Sequence, residues 1–157
     1  MEIINPGDII FSRNNGTISR FIRMRTLSQW SHVGIVTGRY DGNIKCISAR
    51  WDGVVYDNIK DWYGDIQILR VKNIDSHQIH KVIEYTSTQV GKPYGWCGVK
   101  DFLTLQKHQS GSRWFSSVLV YCSFLKAGID LLEKHKCCFV SPGELYESPK
   151  LTFIAKL

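Results

Sequence analysis

The chain has 157 residues, enough for a real hydrophobic core, and its 43% hydrophobic and 22% charged residues exclude disorder and coiled coil. No apolar run approaches the roughly 20 residues needed to span a bilayer as a helix. Lys and Arg outnumber Asp and Glu by 20 to 14, but the surplus is spread along the chain, so an ordinary basic bias is favoured and nucleic acid is not an expected partner.

The N-terminal stretch MEIINPGDIIF carries Glu2 and Asp8 where a secretory signal would carry positive charge and then a longer apolar run. It predicts a cytoplasmic protein with no visible leader, with non-classical export as the route to any cell-wall role. Asn5, Pro6 and Gly7 form a turn signal ahead of a short strand. Thr17 is a suitable cap for a helix over residues 18–27, with Ile18, Phe21, Ile22 and Leu27 on its apolar face and Arg20, Arg23 and Arg25 mostly off it.

SHVGIVTG then predicts a strand, and IKCISAR a second one after the turn Asp41-Gly42-Asn43, where Gly42 tolerates positive φ. VVY and IQILRV add two more, so an antiparallel sheet is expected. The second half turns helical. Ile79, Val82, Ile83 and Val90 predict a helix over 76–90 capped by Ser76. GKPYGW breaks it, residues 99–107 suit a short helix, and HQSGS a mobile loop. SVLVYCSFLKAG reads as a helix ending at Gly128, with Cys122 near its start. The tail FVSPGELYESPKLTFIAKL predicts two Pro-containing turns and a last strand. No repeat or linker divides the chain, so residues 1–157 are expected to form a single α+β domain.

Five cysteines, Cys46, Cys97, Cys122, Cys137 and Cys138, are odd in number and include no C-x-x-C pair. Free thiols in a reducing compartment are therefore expected, with no disulfide framework and no zinc site. Cysteine hydrolysis needs a thiolate, a neighbouring imidazole and commonly a third group that orients it. A helix N-terminus stabilises the thiolate, and Cys122 alone among the cysteines is expected there. The N–H groups around Cys122 and Ser123 would then help bind an oxyanion. His32, on a strand beside Ser31, is the candidate base. Trp30 and Tyr121 flank the pair in sequence and are candidate substrate contacts, with Ser31 and Ser123.

PGDIIF, WSHVGIV, DGVVY, GKPY, YCSFLKAG and SPGELYESP occur in that order. The series resembles the circularly permuted branch of the NlpC-type papain-like superfamily, especially the YiiX-like hydrolases, from Pro6 to about Pro149; lecithin:retinol acyltransferase-like proteins are more distant relatives. In that branch the histidine precedes the cysteine, as His32 precedes Cys122. The resemblance implies a small antiparallel sheet or partial barrel carrying His32, packed against helices, one of which carries Cys122. It implies that Cys122 attacks an amide, peptide or ester carbonyl to give a thioacyl intermediate, with His32 as general base and no cofactor. A cell-wall peptide is the substrate suggested by the superfamily.

One departure concerns the third group. YiiX-like relatives commonly place a glutamate on the strand after the histidine strand, where ISARWDGV has Ser48. A serine accepts an imidazole N–H bond but brings no full charge, which leaves Ser48, Asp52 or a bridging water to orient His32. Gly95 likewise stands where relatives often have aspartate. The rival readings are a lipid-directed thioesterase or acyltransferase, and a degenerate fold kept as a binding or interaction module. His77 and His80, three apart on a helix with no completing ligand, are expected to face solvent.

Overall fold

The computed structural model describes residues 3–13, 28–50, 52–92, 115–136 and 140–157. The expected helix over 18–27 with its arginines, the segment 99–107, the HQSGS loop, Gly95 and three of the cysteines lie outside the described residues.

The chain enters through the Asn5–Asp8 turn, and Gly7 adopts φ +87°, a region that costs glycine least. The Gly7 N–H donates to the Val36 carbonyl and the Val36 N–H to the Asp8 carbonyl, each at 2.8 Å. Strand β1 (Ile9–Arg13) follows, then β2 (His32–Tyr40) and β3 (Asn43–Arg50). Asp41 and Gly42 between them both have positive φ, the pattern of the two-residue hairpin turn that matches strand twist. β4 (Gly53–Asn58), a 3-10 turn (Ile59–Asp61) and β5 (Asp65–Val71) complete the first half.

Among the described residues, three helices and a last strand follow: α1 (Ser76–Gln89), α2 (Phe115–Lys126), α3 (Pro142–Tyr146) and β6 (Leu151–Lys156). The N-cap of α1 is Asp75, not Ser76; its carboxylate accepts from the Gln78 N–H, and the Gln78 side chain returns the bond. α2 stops as the sequence predicts. Gly128 has φ +84°, the Gly128 N–H donates to Leu125 and the Ile129 N–H to Phe124, a Schellman closure. SPGELY is a short helix where a turn is expected, because Ser141 and Glu144 form a capping box with Pro142 in the first turn.

The six strands form an antiparallel sheet in the order β4-β3-β2-β1-β5-β6. Strand alternation gives it two distinct faces. Ile9, Phe11, Val33, Ile35, Leu69 and Val71 pack with Val82 of α1, Val120, Tyr121 and Phe124 of α2 and Leu145 of α3. Ile47, Ala49 and Val54 continue that face against Leu119. The other face presents Ile10, Val36, Cys46, Ile66 and Ile68, covered by Ile59 and Trp62.

At the head of β1 the buried Asp8 carboxylate takes two bonds from Arg70 on β5, 2.7 Å from Nε and 2.9 Å from Nη2. It also accepts the Asn5 N–H at 2.8 Å, while Arg70 donates to the Ile3 carbonyl. The PGD segment is thus a structural clamp. Asp8→Asn removes the charge but leaves Arg70 facing it, and should lower unfolding free energy by about 2–3 kcal/mol in urea denaturation.

Candidate active site

β2 opens at His32, whose strand partner on β1 is Ser12. Two residues on, Gly34 pairs with Ser48 on β3, and Ser48 pairs in turn with Val55 on β4. His32, Gly34 and Ser48 therefore lie on one face of the sheet, the face covered by Trp62. The His32 and Trp62 rings are 4.5 Å apart between centroids, tilted by 42°.

Ser48 is fully buried, and its hydroxyl donates to Asp57 Oδ2 over a long 3.4 Å. Asp57, on β4, is the carboxylate that the sequence did not single out. Its Oδ2 also accepts from Trp62 Nε1 at 3.0 Å and Arg50 Nη1 at 3.1 Å, and its Oδ1 from the Asn58 N–H. Asp57 could have been found only by pairing β4 with β3, and Trp62 only from side-chain packing, since neither stands in a motif. Asp52, the other candidate third group, is exposed in the turn before β4.

Cys122 is placed differently from the expectation. α2 begins at Phe115, so Cys122 lies in its third turn and not at its N-terminus. At that depth its N–H and that of Ser123 belong to the helix's own ladder, which removes the dipole and oxyanion arguments drawn from a helix start. Cys122 is buried, two residues from both Val120 and Phe124, which face the sheet. At about 100° per residue it falls on the flank away from them. The structure thus gathers His32, Ser48, Asp57 and Trp62 on one face of the sheet and sets the helix of Cys122 against the other.

Cys122 is disulfide-bonded, whereas Cys46 is free. This corrects the expectation of free thiols throughout. Cys46 is the inert kind: burial first, then the nearby Asp57 charge, push its thiol far up, and its S–H faces the Asp57 carbonyl.

The remaining candidates are engaged inside the fold. Trp30 packs with Phe11 and Tyr146, at 5.9 and 4.9 Å between ring centroids, and its Nε1 is buried with no hydrogen-bond partner among the described residues. The Ser31 hydroxyl donates to the Ser12 carbonyl. Ser123 donates to Leu119 and sits 2.9 Å from Thr86 Oγ1, joining α2 to α1. The Tyr121 hydroxyl donates to Asp130 at 2.7 Å. His77 and His80 are exposed.

A histidine opening one strand of an antiparallel sheet, followed later in the chain by a cysteine on a helix packed on that sheet, is the order of a permuted papain-like hydrolase. The profile of the family described as "Permuted papain-like amidase enzyme, YaeF/YiiX, C92 family" matches residues 3–155, and the chain belongs to that family. The α+β permuted fold and the papain-like amidase or peptidase class read from the sequence are both borne out. The chain is also similar to the solved structure of the metalloprotein yiiX from Escherichia coli O157:H7, with 24% identity and a TM-score of 0.71 over 98% of this chain and 97% of that one. At that identity the likeness is one of fold. No curated protein matches. Among the described residues no three His, Cys, Asp or Glu side chains group as metal ligands, and no helix is long and apolar enough to cross a membrane.

Burial alone would raise the Asp130 carboxyl, but the Tyr121 hydroxyl and the N–H groups of His135, Leu132 and Lys134 outweigh it and hold it down to about 2. A carboxyl depressed in the folded state stabilises above its unfolded value near 3.8 and loses that contribution as pH falls toward 2. Tyr121→Phe should therefore lower stability at neutral pH by about 1 kcal/mol and move acid unfolding, followed by circular dichroism, to higher pH.

Proposed function

We propose that the protein hydrolyses an amide or peptide bond through a Cys122 thioacyl intermediate, with His32 as general base. The observation that carries the reading is the amidase-family match over residues 3–155, with histidine ahead of cysteine as the permuted order requires. The imidazole takes the Cys122 proton, and the thiolate attacks the carbonyl carbon. The imidazolium then protonates the leaving amine, which departs to leave the thioester. Water, giving a proton to His32, attacks the thioester and releases the acid and the thiol.

The reading sets two conditions. The disulfide at Cys122 must be reduced before the sulfur can act. In the reduced form, Sγ and the imidazole must come within hydrogen-bond reach, about 3–4 Å, although the described residues set His32 and the helix of Cys122 on opposite faces of the sheet. Ser48 supports the site through Asp57, and Trp30, Ser31, Tyr121 and Ser123 support it through packing and hydrogen bonds within the fold. Peptides of the cell wall are the substrate class this reading favours, and no metal is assigned a part in it.

Turnover of wall-derived peptides and of acyl esters, each with and without dithiothreitol, tests the proposal. The oxidised protein should be inert and the reduced one active on peptides, with Cys122→Ala and His32→Ala each lowering kcat about a thousandfold or more. Preference for acyl esters would favour the thioesterase reading. Wild-type turnover in reduced Cys122→Ala would remove Cys122 from the chemistry.

A further inference from the structure

If His32 is the base, something must hold its ring and bear the charge it acquires. Papain-like chemistry commonly gives this task to a carboxylate or amide beside the imidazole. Ser48 brings no charge, and its hydroxyl is directed to Asp57. The indole of Trp62 lies against the imidazole, 4.5 Å away between ring centroids.

That indole is fixed from two sides. Its Nε1 donates to Asp57 Oδ2 at 3.0 Å, and Asp57 is itself buried, with 6% of its side chain exposed. Its six-membered ring lies over Gly34: a Cβ at that position would come within 3.0 Å of Cη2 and 3.2 Å of Cζ2 of Trp62. It would also meet the Ile47 carbonyl at 3.1 Å. The absence of a side chain two residues after His32 therefore lets the indole approach the strand there and reach the imidazole. The H-x-G spacing in SHVGI thus has a physical meaning on this face of the sheet.

We propose that Trp62, anchored by Asp57 and seated on Gly34, is the positioning residue for His32. The indole holds the ring, and its π face stabilises the imidazolium formed when His32 takes a proton. Asp57 acts at one remove, by orienting the indole and by adding a negative charge behind it. Other charged groups nearby are Arg50, which pairs with Asp57; Arg13, which pairs with Asp65 beside Ser12; and the exposed Lys60 and Asp61 of the 3-10 turn. The inference rests on the reading of His32 as general base.

The experiment is an NMR titration of the His32 imidazole in the reduced protein, with His32→Ala used to assign its signals, alongside kcat and KM on a peptide substrate. Trp62→Phe keeps an aromatic face, whereas Trp62→Leu keeps apolar cover without one. The phenylalanine variant should titrate close to wild type. The leucine variant should lower the His32 pKa by about 0.5–1 unit, since losing stabilisation of the cation favours the neutral ring. It should also lower kcat about tenfold at little changed KM. Asp57→Asn, which loosens the indole and removes its anchoring charge, should shift the titration in the same direction. If the leucine variant does not fold, Trp62→Met serves in its place.

Identical titrations for the aromatic and aliphatic variants would overturn the proposal. An essential His32 with full kcat and an unshifted titration in Trp62→Leu would overturn this inference alone. Wild-type turnover in His32→Ala would sink the general-base reading, and this inference with it.

Discussion

The Asp8–Arg70 pair ties the chain's first turn to the strand at the far side of β1. A carboxylate with 1% exposure is costly unless its oxygens are satisfied, and here two guanidinium bonds and a backbone N–H do so. Because Asp8 also pairs through its backbone with Val36, one residue joins β1, β2 and β5 at a single corner. The register of β1 against both neighbours follows from it. So does the placement of His32, which stands opposite Ser12 four residues further along. A one-residue slip would turn His32 and Gly34 toward the helices and expose Val33 and Ile35 to the wrong layer.

The sheet separates two chemistries. On the helix side, the residues are almost wholly apolar, and aromatic contacts among Phe11, Trp30 and Tyr146 add about 0.5–1.5 kcal/mol per pair beyond area burial. On the other side, a histidine, a serine, an arginine and a buried aspartate converge under one tryptophan. Within that group Asp57 accepts from Ser48, Arg50, Trp62 and the Asn58 N–H, as a buried carboxylate must to persist.

Much of this was legible from the chain. PGD, the hairpin at Asp41-Gly42, the stop at Gly128 and the order of His32 before Cys122 all carry local signals, because turn and cap geometry depends on a few neighbouring residues. Local reasoning failed where two assignments compete over a residue or two. Ser76 and Asp75 are both good caps, and only the bond to Gln78 decides between them. The same uncertainty at the start of α2 moved Cys122 from the first turn to the third, since SSVLVY is as compatible with helix as with the approach to one.

By itself the sequence determined the strand-rich first half, the helical second half, the permuted order and the family, since each rests on periodicity, turn residues or ordered motifs. Tertiary structure alone decided that Asp57 and Trp62 belong with His32, because strand pairing and side-chain packing bring together residues up to 30 positions apart in the chain. It also decided that Cys46 is an inert core thiol and that Cys122 is disulfide-bonded. Burial, facing and covalent pairing are relations between distant segments, and no local pattern of residues encodes them.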